Sequence, residues 1–375
     1  MGNTILTPQI IAKEALLQLK NNTVMSNLVY RDYENEFVAG VGNSVTIRKP
    51  ATFEAKEFNR TTGIEIQDAT EGAANVILDK LLDVSFEVTA EQLSLDIADF
   101  SIQLLQPAMQ SFAQKIDTYL LGLYKDVSNT CGVAGTTPND IGAITGARKI
   151  LNETKTPFDS RSLVIDPSAE NNFLQIPTFH EAGKVGDDGT SLSEASLGRK
   201  FGFNIYTDQN VMSHIAGTLS AGSGKIKPKA ATSKGATTIT LSSTTLTGTV
   251  VVGDVLTIKG ASYTVTESAT AENNEITVKV SPALKEDIAA TVEITVTGSH
   301  VANLAFHKNA FALVTRPLAL PKGLSSEQKA IVNYDGFGLR VIYDYNSQFK
   351  KDVISIDMLC GVKTLNPDLA CRLLG

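Results

Sequence analysis

The chain has 375 residues, with 33 Lys and Arg against 40 Asp and Glu, a formal charge of −7, 6% aromatic residues and no Trp. Two or three domains and a sizeable core fit that length, while the mild acidity and scarce aromatics exclude a chain-wide surface for gripping or stacking nucleic acid. Cys131, Cys360 and Cys371 are odd in number and far apart, which excludes a disulfide framework and fits a reducing compartment.

The opening MGNTILTPQI has no basic segment followed by an apolar run, so no signal peptide is expected. No apolar stretch approaches the ~18 residues that cross a bilayer. Thr7-Pro8 reads as a helix start, and Ala12, Ala15, Leu16 and Leu19 then recur at helical spacing until Asn21-Asn22. The stretch VYRDYENEF is polar and irregular. Residues 1–43 therefore read as a helix on an extended arm with too few apolar groups for its own core. It is expected to pack on something else, a neighbouring subunit being one candidate.

SVTIRKP (44–50) alternates and stops at Pro. IEIQD (64–68) alternates again, and Val84, Phe86 and Val88 share one face of the stretch 75–89. Residues 50–74 read either as a surface loop or as a long two-stranded hairpin ordered by another chain, since a bare hairpin is marginal in water. The longest helical stripe, Ala108, Phe112, Ile116, Tyr119, Leu123 and Val127, follows Pro107 and predicts about 20 residues of helix, roughly 30 Å. Thr137-Pro138 reads as the start of a helix through Ile141, Ile144 and Leu151. SLVIDP (162–167) reads as a strand stopped by Pro, residues 177–200 as loop, and FGFNIYTDQNV as strand.

Residues 217–300 differ in character, with 17 threonines and one aromatic, Tyr263. Strictly alternating runs such as EITVKV and TVEITVTG, separated by Gly and Asp turns, predict a small all-β module. Its flanks, QNV and NLAFHKNAFALVTRP, both read as strands of one host, the pattern of an insertion at an exposed loop. RVIYDYN (340–346) and DVISIDMLCGVKTL (352–365) read as strands, and DLACRLL closes the chain.

No local signature of catalysis is present: no GxxxxGK[ST], no strand-linked GxGxxG, no HExxH, no GxSxG and no Cys pair at metal-ligand spacing. No enzyme activity, metal or cofactor is therefore expected. The histidines, His180, His214, His300 and His307, are scattered. His180-Glu181 near Asp187-Asp188 is a weak candidate for a cation site against the reading of a solvated loop. Lys225, Lys227, Lys229 and Lys234 open the β-module, and are read either as solvated lysines or as partners for phosphate or another chain's carboxylates.

The order of arm, hairpin, long helix, mixed central region and long C-terminal strands resembles the major capsid proteins of tailed bacteriophages, the fold shared with herpesvirus capsid floors. The stretches that carry the resemblance are NTILTPQIIAKEALLQLKNN with YENEF and GNSVTIRKP, LGRKFGFNIYTDQNV, NLAFHKNAFALVTRPL, and DVISIDMLCGVKTLNPDLACRLL. The β-module falls where one branch of that family carries an inserted β-barrel. The resemblance implies an α+β fold with an N-terminal arm (1–43) and an extended hairpin loop with flanking strands (44–89). It implies a peripheral domain with a spine helix (90–130 and 325–364), an axial domain (131–216, 301–324 and 365–375) and an inserted all-β domain (217–300).

It further implies a shell subunit arranged as pentamers and hexamers in an icosahedral head. The implied partners are a separate scaffolding protein, a portal protein, a decoration protein in some relatives, and packaged double-stranded DNA touched non-specifically, with no membrane. Assembly in the bacterial host cytoplasm, ending in the virion capsid with later shell expansion, is implied as well. The absence of an extension before TPQII agrees with a separate scaffold. The inter-subunit contact candidates are Lys56, Glu57 and Arg60 in the hairpin and Lys225, Lys227, Lys229, Glu272 and Glu275 in the module. Some relatives cross-link a hairpin Lys to another subunit's Asn; Lys49 and Lys56 lie in or beside this hairpin, but the sequence marks no Asn partner or acidic catalyst. The rival readings are an encapsulin-type nanocompartment shell and a Thr-rich virion adhesin.

Overall fold

The computed structural model describes residues 8–31, 44–49, 60, 72–88, 101–180, 195–321, 323, 325, 328–334, 337–346 and 351–375. Helix α1, Pro8–Asn22, buries Ile11, Ala12, Ala15, Leu16 and Leu19 along one side. Strands β1 (Ser44–Lys49) and β2 (Gly72–Ile77) pair antiparallel from Ser44↔Ile77 to Lys49↔Gly72, and β3 (Lys80–Val88) follows at once. Val45, Ile47, Ala74 and Val76 are buried on this pair, the period of two that a half-buried ribbon requires. The rest of the predicted hairpin, with Lys56, Glu57 and IEIQD, falls outside the described residues, apart from exposed Arg60.

A π-helical turn at Ser101–Leu105 runs directly into α2, Gln106–Leu121, with Pro107 at the junction of the two. A 3-10 turn, Gly122–Asp126, and β4 (Thr130–Gly132) follow. The next helix starts later than Thr137-Pro138 predicts. It is α3, Ile141–Glu153, because Asp140 is its N-cap and accepts the Ala143 N–H at 2.9 Å. Pro167 ends a strand, β5 (Arg161–Ile165), as expected, but it also opens a helix the sequence reading missed, α4 (Pro167–Leu174), capped by Asp166. Pro167 is thus a first-turn proline, a place where Pro is favoured.

The later strands are β6 (Arg199–Lys200), β7 (Phe203–Thr207), β8 (Ser213–His214), β9 (Lys227–Pro228), β10 (Thr238–Ser242), β11 (Thr249–Val250), β12 (Val255–Ile258) and β13 (Ala261–Val265). Then come β14 (Ala269–Thr270), β15 (Glu275–Ser281), β16 (Ile294–Val296), β17 (His300–His307), β18 (Phe311–Arg316), β19 (Lys329–Tyr334), β20 (Phe337–Asn346), β21 (Lys351–Thr364) and β22 (Ala370–Leu374).

The chain forms two compact units. In the first, a sheet runs β18-β21-β20-β19, with β3 also paired to β21. Helix α1 packs on β19 and β20, so the cover expected from elsewhere is supplied by the chain's own C-terminal strands. In the second unit a mixed sheet runs β4-β22-β17-β5-β7-β6. Ile144, Ala147 and Leu151 of α3 and Ala169 and Phe173 of α4 pack with Leu163, Ile165, Phe203 and Leu373 of that sheet.

The second unit also holds the Thr-rich module. Strand β8 pairs with β17 at His214↔His300 and Ser213↔Val301, so the chain leaves the mixed sheet and re-enters it at neighbouring residues. Between these points a six-stranded sheet runs β16-β12-β13-β15-β10-β9. Its two edges meet: Ile294 N donates to Ile226 O at 2.9 Å, and Lys225 pairs with Glu293 across the same seam. The sheet therefore curls into a small barrel whose two edges touch at this seam. Ile276, Val278 and Val280 of β15 point inward with Ile239, Leu241, Ile258, Tyr263 and Val265. Thr238, Thr277 and Thr295 are exposed, and Thr240 and Thr277 meet across β10 and β15 at 3.2 Å. Threonine supplies β-branching to the outer face without adding large apolar surface.

A barrel with its own core is expected to fold alone. Residues 217–302, expressed in isolation, should give a β-type circular dichroism spectrum and one cooperative thermal transition. A disordered spectrum would refute this.

Candidate functional site

The sealed polar cluster at the root of the barrel brings together residues from four parts of the chain. Tyr124 comes from the 3-10 turn after α2, His214 from β8, Asp254 from the turn before β12, and Arg372 from β22. Tyr124 Oη lies 3.0 Å from His214 Nδ1, and His214 Nε2 lies 2.8 Å from Asp254 Oδ1. A carboxylate only accepts, so Nε2 carries a proton; in the neutral ring Nδ1 then accepts from the Tyr124 hydroxyl. Asp254 also accepts the backbone N–H of Val251 at 2.8 Å and of Gly217 at 3.2 Å. Arg372 donates through Nε to Val127 O (2.7 Å), through Nη1 to Gly253 O (2.8 Å) and through Nη2 to Lys125 O (3.2 Å). Its guanidinium also lies 5.1 Å from the Tyr124 ring centroid.

Asp254 and Arg372 are 0% exposed, and His214 and His300 are 3% exposed. The His300 ring centroid is 5.1 Å from that of His214, and its Nδ1 lies 2.8 Å from Gly298 O. Burial pushes the Tyr124 hydroxyl up against the opposing pull of Arg372, and pushes His300 down. Burial also lowers Arg372 to about 10, which leaves it charged at neutral pH. Gly253 fits this root for two reasons. Its φ is +98°, and a Cβ there would stand 2.9 Å from Lys125 Cγ and 3.3 Å from His214 Cε1. With Tyr124, His214, Asp254 and Arg372 bonded to each other or to backbone and His300 Nε2 buried without a partner, the cluster is a clamp that holds the barrel to the end of α2 and to β22.

A second buried carboxylate, Asp117 on α2, holds the segment 24–26. Its oxygens accept Val24 N–H at 3.0 Å and Met25 N–H at 3.1 Å. Burial, with Asp208 adding to it, pushes this carboxyl up to about 7 against the pull of those amides. The folded state then holds the proton more tightly than the unfolded chain, so the stability from this group is present below pH ~4 and is lost as pH rises through ~7. The urea midpoint is expected to fall over that window in the wild type and to fall less in Asp117→Asn. Parallel pH profiles for the two proteins would refute it.

The structure places the predicted contact residues as follows. Lys225 pairs with Glu293, and Lys229 Nζ lies 2.7 Å from Glu275, so these lysines meet carboxylates of their own barrel. Exposed pairs of this kind stabilise little. Lys227 lies in β9 opposite Ser242. Glu272 and Glu275 exchange backbone hydrogen bonds at 2.9 Å around the turn that joins β14 to β15. Lys56 and Glu57 lie outside the described residues, as do Glu181, Asp187 and Asp188 of the candidate cation site. Among the described residues no three His, Cys, Asp or Glu are grouped to hold a metal ion. Sequence reasoning missed the clamp, since Tyr124, His214, Asp254 and Arg372 have no local pattern. The one available signal was an Arg inside the apolar run LACRLL.

No known family profile matches the sequence, and no curated protein matches it. Solved structures do. A chain from Mycobacterium phage Che8 aligns with a TM-score of 0.50 at 14% identity, covering 93% of this chain and 90% of that one. The chain shares its fold with that phage protein. The capsid structure of the Cyanophage P-SCSP1u aligns at 0.49 and 13% identity, covering 93% of this chain and 87% of that one. A virus-like particle from Pyrococcus furiosus aligns at 0.35 and 10% identity over 97% of both chains. In this fold the barrel stands between β8 and β17, and the clamp closes over its root.

Proposed function

We propose that the chain is the major capsid protein of a tailed bacteriophage, a non-enzymatic subunit that assembles as pentamers and hexamers into the icosahedral head around the genome. The observation that carries this reading is the likeness of fold over 93% of the chain to a phage Che8 protein. The antiparallel pair of β1 with β2 supports it, because such a ribbon needs cover along its length. On this reading residues 1–43 are the arm, 44–89 the extended loop, 90–130 with 325–364 the peripheral domain, and 217–300 the inserted domain. Residues 131–216, 301–324 and 365–375 are the axial domain. Lys56, Glu57 and Arg60 are the proposed contacts of the extended loop with a neighbouring subunit. Lys225, Lys227, Lys229, Glu272 and Glu275 are those of the barrel, where Lys225 and Lys229 would exchange intramolecular partners for a neighbour's carboxylates. Scaffolding, portal and decoration proteins are the proposed partners, with expansion of the shell as DNA enters.

The test is electron microscopy of cells making this chain alone and with its neighbouring reading frames. Closed shells, tubes or spirals are expected. Small particles in both samples would overturn the shell reading. DNA-filled heads against shells loaded with a cargo enzyme would separate a virion from a nanocompartment.

A further inference from the structure

Two of the three cysteines, far apart in sequence, meet in the second unit. Strands β4 and β22 run parallel with Cys131 opposite Leu373. Cys371 lies two residues before Leu373, so period-two alternation puts it on the same face as Cys131. The two sulfur atoms are 3.7 Å apart. Cys131 is partly exposed, whereas Cys371 is buried in the core with Ala147, Leu151 and Leu163. One thiol thus meets solvent and the other waits behind it. Cys360, also buried, lies in the other unit.

We infer that Cys131 and Cys371 form a disulfide when the folded protein meets a low-molecular-weight disulfide such as oxidised glutathione, making this pair a redox-dependent staple of the C-terminal strand. The Cys131 thiolate attacks one sulfur of glutathione disulfide, giving a mixed disulfide and releasing one glutathione. The Cys371 thiolate then attacks Sγ of Cys131. The Sγ131–Sγ371 bond forms, the bond to glutathione breaks, and the second glutathione leaves with the proton Cys371 gave up. Two protein thiols are oxidised and one glutathione disulfide is reduced to two thiols.

The sulfurs must close from 3.7 Å to about 2.05 Å. Side-chain rotation, with local adjustment of the three-residue strand β4, supplies that movement. The contact with Cys131 and burial push the Cys371 thiol up, so the first attack falls to the more exposed Cys131. The bond would join residues 240 apart and enclose the whole barrel in one covalent loop. In the chain-entropy account, loops of that length give the largest stabilisation.

The full chain, reduced and then equilibrated with oxidised and reduced glutathione, is digested with trypsin without reductant. The three cysteines fall in separate peptides, 126–148, 352–363 and 364–372. The expected product joins 126–148 to 364–372, about 2 Da lighter than the two free peptides, with 352–363 left as a free thiol. The oxidised protein is expected to melt about 5 °C higher than the reduced protein, a difference lost in Cys131→Ser. Glutathione retained on Cys131 with Cys371 still alkylatable after unfolding would overturn the inference. So would a cross-link that involves 352–363 instead.

Discussion

Arg372→Met is expected to destabilise the protein by about 3–5 kcal/mol, read as a lowered urea midpoint. The side chain is fully buried, and its guanidinium supplies donors to three carbonyls, those of Lys125, Val127 and Gly253. Methionine keeps much of the stem's packing but donates nothing. Each carbonyl left sealed without a donor costs about 1–3 kcal/mol. Removing a desolvated cation returns part of that loss, since burial penalises the charge enough to lower Arg372 to about 10. The carbonyls dominate because they come from two elements, the turn after α2 and the turn before β12, which Arg372 ties together directly with one side chain. Arg372→Lys should fall between wild type and Met: it keeps the charge but cannot span three acceptors with one fork. An unchanged midpoint for Met would show that the clamp is dispensable.

This prediction concerns the part of the molecule the sequence hid. Period-two runs made the barrel legible, because strands half in and half out of a core must alternate, and β15 does so at Ile276, Val278 and Val280. The helical stripe after Pro107 was legible for the same reason, as was the apolar side of α1. The partners were not. Nothing in the spacing of Ala12, Ala15, Leu16 and Leu19 states that β19 and β20, more than 300 residues away, will cover them. Caps were half legible. Asp140 and Asp166 are ordinary N-cap types, but Asp140 stands just after Thr137-Pro138, which reads as the helix start itself, and Asp166 just before Pro167, which reads as a stop. The clamp was the least legible, since four residues spread from 124 to 372 meet only because β8, β17 and β22 lie in one sheet. His214 looked scattered in sequence and is bonded on both ring nitrogens in the fold.

The Thr-rich composition also reads differently once the seam is known. It needs no ligand to explain it. A barrel this small must keep its outer face polar and its strands stiff, and Thr does both at once. The lysines at its entrance serve the seam as well, since Lys225 sits at the point where Ile294 meets Ile226. A role between subunits would be added to that use.

The first unit contains a second vulnerable point, and its failure should differ in kind from loss of the clamp. Gly361→Ala is expected to destabilise that unit by about 3 kcal/mol. Gly361 lies in β21 where the strand passes the turn between β2 and β3. A Cβ there would stand 2.3 Å from Ile77 O and 3.3 Å from Leu78 Cα. Both are backbone atoms, at the end of β2 and in the turn after it, so neither can rotate away as a side-chain tip would. Relief requires β2 and the start of β3 to move off β21, which loosens the pairing Leu81↔Leu359 and Lys80↔Cys360. Gly298→Ala is the matched control, with nothing within 4 Å of its Cβ. Thermal unfolding should separate the two variants. Backbone amides of β2 and β3 should exchange hydrogen faster in Gly361→Ala, while Gly298→Ala behaves as wild type. If both variants melted with wild type, the close approach of β21 to β2 would not be a constraint on this fold.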